Sequence, residues 1–256
     1  MNKMDQSLLI INGATRINGN TDILVERIIA GARDIGLNPV LIELRKKCIS
    51  NCIGCYQCLK ESECSFQDDM TGIRNQINKA ELIILASPLY WCGVTGLMKT
   101  FIDRLFFYYH PQNRPLISGK KAIILTPMNQ KDVDFESEVL VEFYKRLLDC
   151  LGIGIMEMFF FGDIMEKGAV SGKPEYLNKA YKIGTNDFLL QVDVGLRFIE
   201  RNPEIYSPEY KGTRKHIIKR FPYKIIYLIE KERIIVLAII HGKRSPDLIK
   251  KRIDSI

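Results

Sequence analysis

The chain has 256 residues and a mass of 29.5 kDa, with 46% apolar residues, 26% charged residues and a formal net charge of +7. This balance excludes a disordered, collagen-like or disulfide-scaffold protein, and the longest apolar runs, such as 234–240, are too short to span a bilayer. The opening MNKMDQ runs into SLLII without the segments of a signal peptide, so a cytoplasmic protein with no membrane partner is expected.

The charge is unevenly placed. Residues 1–187 hold 22 Lys and Arg against 22 Asp and Glu, whereas residues 188–256 hold 15 against 8. All seven cysteines (48, 52, 55, 58, 64, 92 and 150) fall in the neutral part, and an odd number without an export signal argues for metal or redox chemistry over disulfides. Two modules, 1–187 and 188–256, are the simplest reading.

In chain order, the first predicted element is a strand at 7–12, continuously apolar as a strand buried on both faces should be. The loop after it, NGATRINGNTDIL, offers backbone N–H groups, the hydroxyls of Thr15 and Thr21 and the fork of Arg16. A helix beginning near Thr21 points its positive end at the same spot, which makes a phosphate cradle. No Gly-Lys-Ser/Thr follows, so the Walker pattern is absent, as is the dinucleotide fingerprint. A second strand at 40–44 leads to CIGCYQCLKESEC, in which Cys52, Cys55, Cys58 and Cys64 form a C-x2-C-x2-C-x5-C array. Successive pairs at this spacing suit a cuboidal iron-sulfur cluster better than one tetrahedral ion, because zinc sites usually join two C-x2-C hooks through a long spacer. Zinc and a set of incidental thiols are the alternatives. Cys48, four residues upstream, is a spare loop cysteine or a substitute ligand.

The third strand, 82–86, ends in SPLYWCGVTG, where Tyr90 and Trp91 offer flat aromatic faces and Gly93 and Gly96 permit close approach of a ring before a helix starts near Thr95. A fourth strand at 122–126 precedes a helix whose Phe135, Val139, Phe143, Leu147 and Leu151 step by four. Cys150, at its end, is expected in the core. A fifth strand at 155–161 completes a βαβ alternation, the mark of a doubly wound parallel α/β sheet whose ligand lies at the carboxyl ends of the strands. A phosphate cradle at strand one and an aromatic shelf at strand three describe the two ends of a flavin mononucleotide.

These loops, with DDMTGI before strand three and KTFIDRL after the shelf, resemble the NADPH-dependent FMN reductase family of flavodoxin-like folds over about residues 5–184. The resemblance implies FMN held at Thr15, Arg16, Asn18, Asn20 and Thr21 (phosphate), at Pro88, Leu89, Tyr90, Trp91 and Gly93 (ribityl and ring), and at Thr126 and Asn129 after strand four. Ala14 stands where a phosphate-binding Ser is common, and Cys92 where Gly is usual. The cysteine spacing is similar to that of the iron-sulfur flavoprotein branch, which implies a [4Fe-4S] cluster on Cys52, Cys55, Cys58 and Cys64. FMN can accept two electrons together and release them singly, while a cluster carries one at a time, so no acid–base side chain is required. Expected partners are NAD(P)H or ferredoxin as electron donor and further copies of the chain as a homo-oligomer.

From Phe188 a helix runs to about Arg201, followed by strand-like segments at 214–221, 224–230 and 233–241 with turns at Pro222-Tyr223 and Lys231-Glu232, and by a last helix after Ser245-Pro246. ERNPEIY, KRFPYKIIY and VLAIIHGKR resemble the RelE/ParE toxin family, here without its first strand and first helix, giving a truncated α+β antiparallel meander. Family members use such positions as Arg214, Lys219, Arg220, His241 and Arg244, and the basic excess implies weak attraction to polyanions. Three functions are thus weighed: an FMN and [4Fe-4S] electron-transfer oxidoreductase, an NAD(P)H-dependent flavin or quinone reductase without a cluster, and a toxin-like polyanion- or gyrase-binding protein.

Overall fold

Five short strands, β1 (Leu8–Asn12), β2 (Val40–Glu43), β3 (Leu82–Ala86), β4 (Lys121–Pro127) and β5 (Gly154–Phe161), lie parallel in the order β2-β1-β3-β4-β5 in the computed structural model. The structure describes residues 8–218, 223–230 and 233–241. β1 and β3 are buried at every position and β4 at all but the first, so their sequences read as unbroken apolar runs; the edge strands β2 and β5 are partly exposed. The connections are α1 (Asn20–Asp34), α2 (Gln57–Lys60), α3 (Met70–Lys79), α4 (Gly96–Asp103), α5 (Val133–Leu151) and α6 (Pro174–Arg201). The chain winds from β1 to β2 on one side and back past β1 to β3, so the strand order reverses between β1 and β3. This is the flavodoxin-like switch point expected from the sequence.

Alternate residues of the strands serve the two faces. Leu9 and Ile11 pack in one core with Ile73 and Ile77 of α3, Met98 and Phe101 of α4, and Leu140, Tyr144 and Leu148 of α5. α1 and α6 meet each other backbone to backbone: a Cβ at Gly31 would lie 2.1 Å from the Tyr181 carbonyl oxygen, and one at Gly184 would lie 2.1 Å from that of Ile28.

Two expectations for α5 are corrected. Its buried face is Ser137, Leu140, Tyr144, Leu148 and Leu151, while Phe135 is 72% and Val139 62% exposed. The reason is helical drift: steps of four advance about 40° each at 3.6 residues per turn, so a row stepping only by four winds off any single face. Cys150 is exposed and not in the core. Asp132 caps the start of the helix by accepting from the Phe135 N–H at 3.1 Å.

The chain divides into two compact units, the second taking the chain from Thr185 onward together with 34–36. That boundary falls inside α6, which starts at Pro174 and not near Phe188 as the sequence suggests. The second unit holds an antiparallel sheet in the order β6-β7-β8, made of β6 (Arg214–Ile217), β7 (Tyr223–Glu230) and β8 (Arg233–His241). Ile225, Ile226 and Tyr227 are buried, and the Tyr206 hydroxyl and His216 Nδ1 lie 2.9 Å apart. The turn residues Pro222, Lys231 and Glu232, the helix after Ser245, and Lys219, Arg220 and Arg244 lie outside the described residues. Among the described residues no helix is long and apolar enough to cross a membrane.

Candidate functional site

At the carboxyl end of β1, Gly13 lets the chain pass close to α4. A Cβ there would meet Met98 Cβ at 2.8 Å, and its carbonyl accepts from the Thr95 hydroxyl, the N-cap of α4, at 2.7 Å. The loop that follows is organised by Asp22, buried in the first turn of α1. Asp22 accepts from Asn12 Nδ2 at 2.7 Å, from the Asn18 N–H at 2.8 Å and from Arg45 Nη1 at 2.9 Å. Arg45, which follows β2, also donates to the Ala14 carbonyl at 3.3 Å and pairs with Glu43. Sequence reasoning missed this pair because its members are 23 positions apart. The one local signal was a carboxylate in the first turn of the helix, where the dipole favours it.

Loops from four strand ends meet in a cavity of about 210 Å3. Of the residues singled out in the sequence, Thr15, Arg16, Asn20, Thr21, Pro88, Tyr90 and Asn129 line it, joined by Ala14, Gly19, Pro127 and Met128. Ile164 and Met165, from the loop after β5, also line it and were missed; the turn signal of GDIMEKG after β5 marked a loop but not its direction. Thr15 Oγ1 and the Tyr90 hydroxyl lie 3.3 Å apart, linking the first loop to the third. Arg16 Nη1 donates to the Met165 carbonyl at 3.3 Å. Asn20 spends its amide on the β5 loop, donating to the Ile164 and Glu166 carbonyls, each at 2.9 Å, and accepting from the Val170 N–H at 3.1 Å. Larger grooves of about 570 and 410 Å3 flank α5, but only the 210 Å3 cavity gathers the strand-end loops where this topology places ligands.

Asn18, Leu89, Trp91, Gly93 and Thr126 do not line the cavity. The Asn18 N–H is taken by Asp22, and the Leu89 N–H by the Pro127 carbonyl at 3.0 Å. Thr126 is fully buried beneath the loop after β4, and its hydroxyl has no protein partner. Tyr90 and Gly93 exchange both backbone hydrogen bonds, at 2.9 and 3.0 Å, around a two-residue turn in which Trp91 (φ 48°) and Cys92 (φ 58°) are left-handed. Such a turn favours Gly at its centre, which accounts physically for the family's Gly at the position of Cys92. Each left-handed non-glycine residue costs on the order of 1–3 kcal/mol. The turn leaves the Trp91 side chain 100% exposed.

The cysteine loop is curled by three left-handed residues, Gly54, Tyr56 and Ser62. Cys52 and Cys55 are exposed, Cys58 and Cys64 half-buried. Burial pushes the Cys58 thiol up, and the thiols of Cys64, Cys52 and Cys55 push it further in the same direction. A hydrogen bond with the Ser65 hydroxyl, with help from the Gln57 backbone, lowers that of Cys55. Among the described residues no group of three or more His, Cys, Asp or Glu side chains is drawn together as a metal ion requires. The donor set itself, four thiols on one short loop, is the chemistry that an iron-sulfur cluster takes. Cys48 is exposed and binds Asp69 through its N–H at 2.8 Å.

Both ends of this loop are tied to α4 by Arg104, which is only 3% exposed. Its Nη1 donates to the Ser50 carbonyl at 2.8 Å and to Asp68 Oδ2 at 2.6 Å; its Nη2 donates to Asp68 Oδ1 at 3.2 Å and to Cys64 Sγ at 3.3 Å. Asp68 also accepts from the Ser50 and Met70 N–H groups, each at 3.0 Å. Burial opposes ionisation of Asp68, but Arg104 and these N–H groups outweigh it and hold the carboxyl below the usual range.

Against known proteins, residues 7–133 match the sequence model of the NADPH-dependent FMN reductase family, and residues 174–246 that of the ParE toxin of type II toxin-antitoxin systems. An iron-sulfur flavoprotein of Archaeoglobus fulgidus is 36% identical over 110 residues, covering 43% of this chain and 49% of that protein. One from Clostridioides difficile is 36% identical over 127 residues, covering 46% and 52%. The chain thus spans about half the length of the curated relatives it matches. The NAD(P)H:quinone oxidoreductase of Methanothermobacter marburgensis superposes with a TM-score of 0.58 at 18% identity, over 71% of this chain and 96% of that one, which shows a shared fold. Residues 7–133 are therefore similar to the NADPH-dependent FMN reductase family, and residues 174–246 of the same chain to the ParE toxin family.

Proposed function

We propose that the chain is a flavin-dependent oxidoreductase that binds FMN in the strand-end cavity, takes electrons from NAD(P)H and carries a [4Fe-4S] cluster on Cys52, Cys55, Cys58 and Cys64. The observation that supports it most is the convergence of four loops on one cavity lined by a cation, the first turn of a helix and a tyrosine. FMN would supply two-electron acceptance with one-electron release, and the cluster one-electron carriage. The rest falls to the protein. Arg16, Thr15 and Thr21 bind the phosphate, assisted by the first turn of α1. Pro88, Tyr90 and Asn129 would hold and shield the ring. The buried Thr126 hydroxyl, left unpaired, has a donor to spend beneath the same loop. At about 210 Å3 the cavity is below the ~300 Å3 floor common for ligand sites, so the Thr15–Tyr90 contact is expected to open on binding.

A reductase without a cluster is the second reading, favoured by the absence of any tight metal-ligating group among the described residues. In either case the redox residues lie within 1–187, a homo-oligomer is the expected assembly, and ferredoxin is the alternative donor. Anaerobic titration of the purified full chain with NADPH and then NADH tests the function. Bound flavin absorbance should bleach with about one to one and a half equivalents per flavin, since each nicotinamide delivers two electrons, the flavin takes two and the cluster can take one more. A protein that neither retains nor takes up FMN would overturn the proposal.

A further inference from the structure

The cysteine loop meets α4 through the Thr100 hydroxyl, which donates to Asn51 Oδ1 at 2.8 Å, and through Arg104. α4, capped by Thr95 shortly after the Pro88–Gly93 loop, ends at Asp103, so Arg104 sits at its foot. From there the guanidinium spans the cysteine loop, contacting Ser50 before it and Cys64 and Asp68 at its far end. Its plane lies over the Phe66 ring, with the guanidinium carbon 5.0 Å from the centroid, which excludes water from that side. Its Nε finds no partner, so its position is set by the two forked nitrogens alone. Cys64 is the one cysteine of the four whose sulfur receives a side-chain N–H in these contacts.

We propose that Arg104 is a positioning residue for the cluster, bracing both ends of its loop and donating a hydrogen bond to the Cys64 sulfur so that the added electron is favoured there. The inference rests on the cluster reading above. Its physical basis is that cluster potentials follow net charge and hydrogen bonds to the sulfurs, and that partners of the ligands orient them. A cation and an N–H donor both stabilise the reduced form, which carries one more negative charge with no proton taken up. Asp68 offsets part of that cation through its paired carboxylate. The two residues should therefore move the potential in opposite directions, which a merely structural role would not do.

The test is a redox titration, followed by electron paramagnetic resonance and flavin absorbance, of full-length protein reconstituted with iron and sulfide under anaerobic conditions. Arg104→Gln should lower the cluster potential, Arg104→Lys should lower it less, and Asp68→Asn should raise it, with the FMN couple unmoved in all three. Loss of iron from Arg104→Gln with retention in Arg104→Lys at a lowered potential also supports the brace. Unchanged cluster potentials, shifts of one sign in all variants, or loss of iron and FMN together from Arg104→Lys would overturn it. Wild-type protein that takes up no iron or sulfide would defeat the cluster reading itself, and the inference with it.

Discussion

Arg16 brings the one charged side chain among those lining the strand-end cavity, so a phosphate dianion there depends on it heavily. A charge-assisted hydrogen bond contributes roughly 1.5–3 kcal/mol. Arg16→Ala should therefore weaken FMN about 10- to 100-fold while leaving riboflavin, which lacks the phosphate, almost unaffected. Fluorescence titration of the two flavins checks this, and equal loss for both would place the phosphate elsewhere. A second substitution separates the two cofactors. Cys55→Ser should strip iron and leave flavin bound, because Cys55 lies in the loop and away from the cavity lining. At this scale the sequence was legible where a residue's chemistry acts locally: Thr15, Arg16, Thr21 and Tyr90 follow their strands directly. It was opaque where a long-range partner decides. Nothing near Asn20 announces that its amide is committed to carbonyls some 144 to 146 positions away, and nothing near Asp22 announces Arg45.

The packing of α1 on α6 is the contact between elements with the least slack. Gly31 and Gly184 each present a bare Cα to the other helix's backbone, and backbone cannot rotate aside as a side chain can. Gly31→Ala should thus destabilise the first unit by about 1–3 kcal/mol through overpacking, seen as a lower midpoint in thermal or urea unfolding. An unchanged midpoint would mean that the helices do not approach so closely. The strands were easy to read because burial on both faces leaves almost only apolar residues in β1, β3 and β4, apart from Asn12, Lys121 and Thr126 near their ends. α5 was not, because it carries apolar residues on more than one face. Phe135 and Val139 continue the run of Phe143 and Leu147, and only the 3-4-4-3 spacing of Ser137, Leu140, Tyr144, Leu148 and Leu151 identifies the buried face.

Across the whole molecule the two family segments differ in charge, with the +7 excess confined to residues 188–256. The ParE match begins at 174, the first residue of α6, so one helix belongs to both readings, and the charge shift near 187 falls within that helix rather than at its start. If the redox chemistry is confined to residues 1–187, a chain ending at Asp187 should keep the FMN and iron content of the full protein, and only the full protein should bind polyanions such as heparin or DNA, weakly and with steep salt dependence. Expression of the full chain should not arrest growth if the toxin-like segment lacks the family's first strand and first helix, as the sequence reading expects. Growth arrest by residues 1–256 but not by 1–187 would promote the toxin reading.

Cofactor content per chain, determined by iron, acid-labile sulfide, zinc and flavin assay of full-length protein purified without oxygen, bears most directly on the assignment. One cavity and one four-thiol loop predict about one FMN with about four irons and four sulfides per chain. One zinc with neither iron nor sulfide, or no flavin at all, would contradict it.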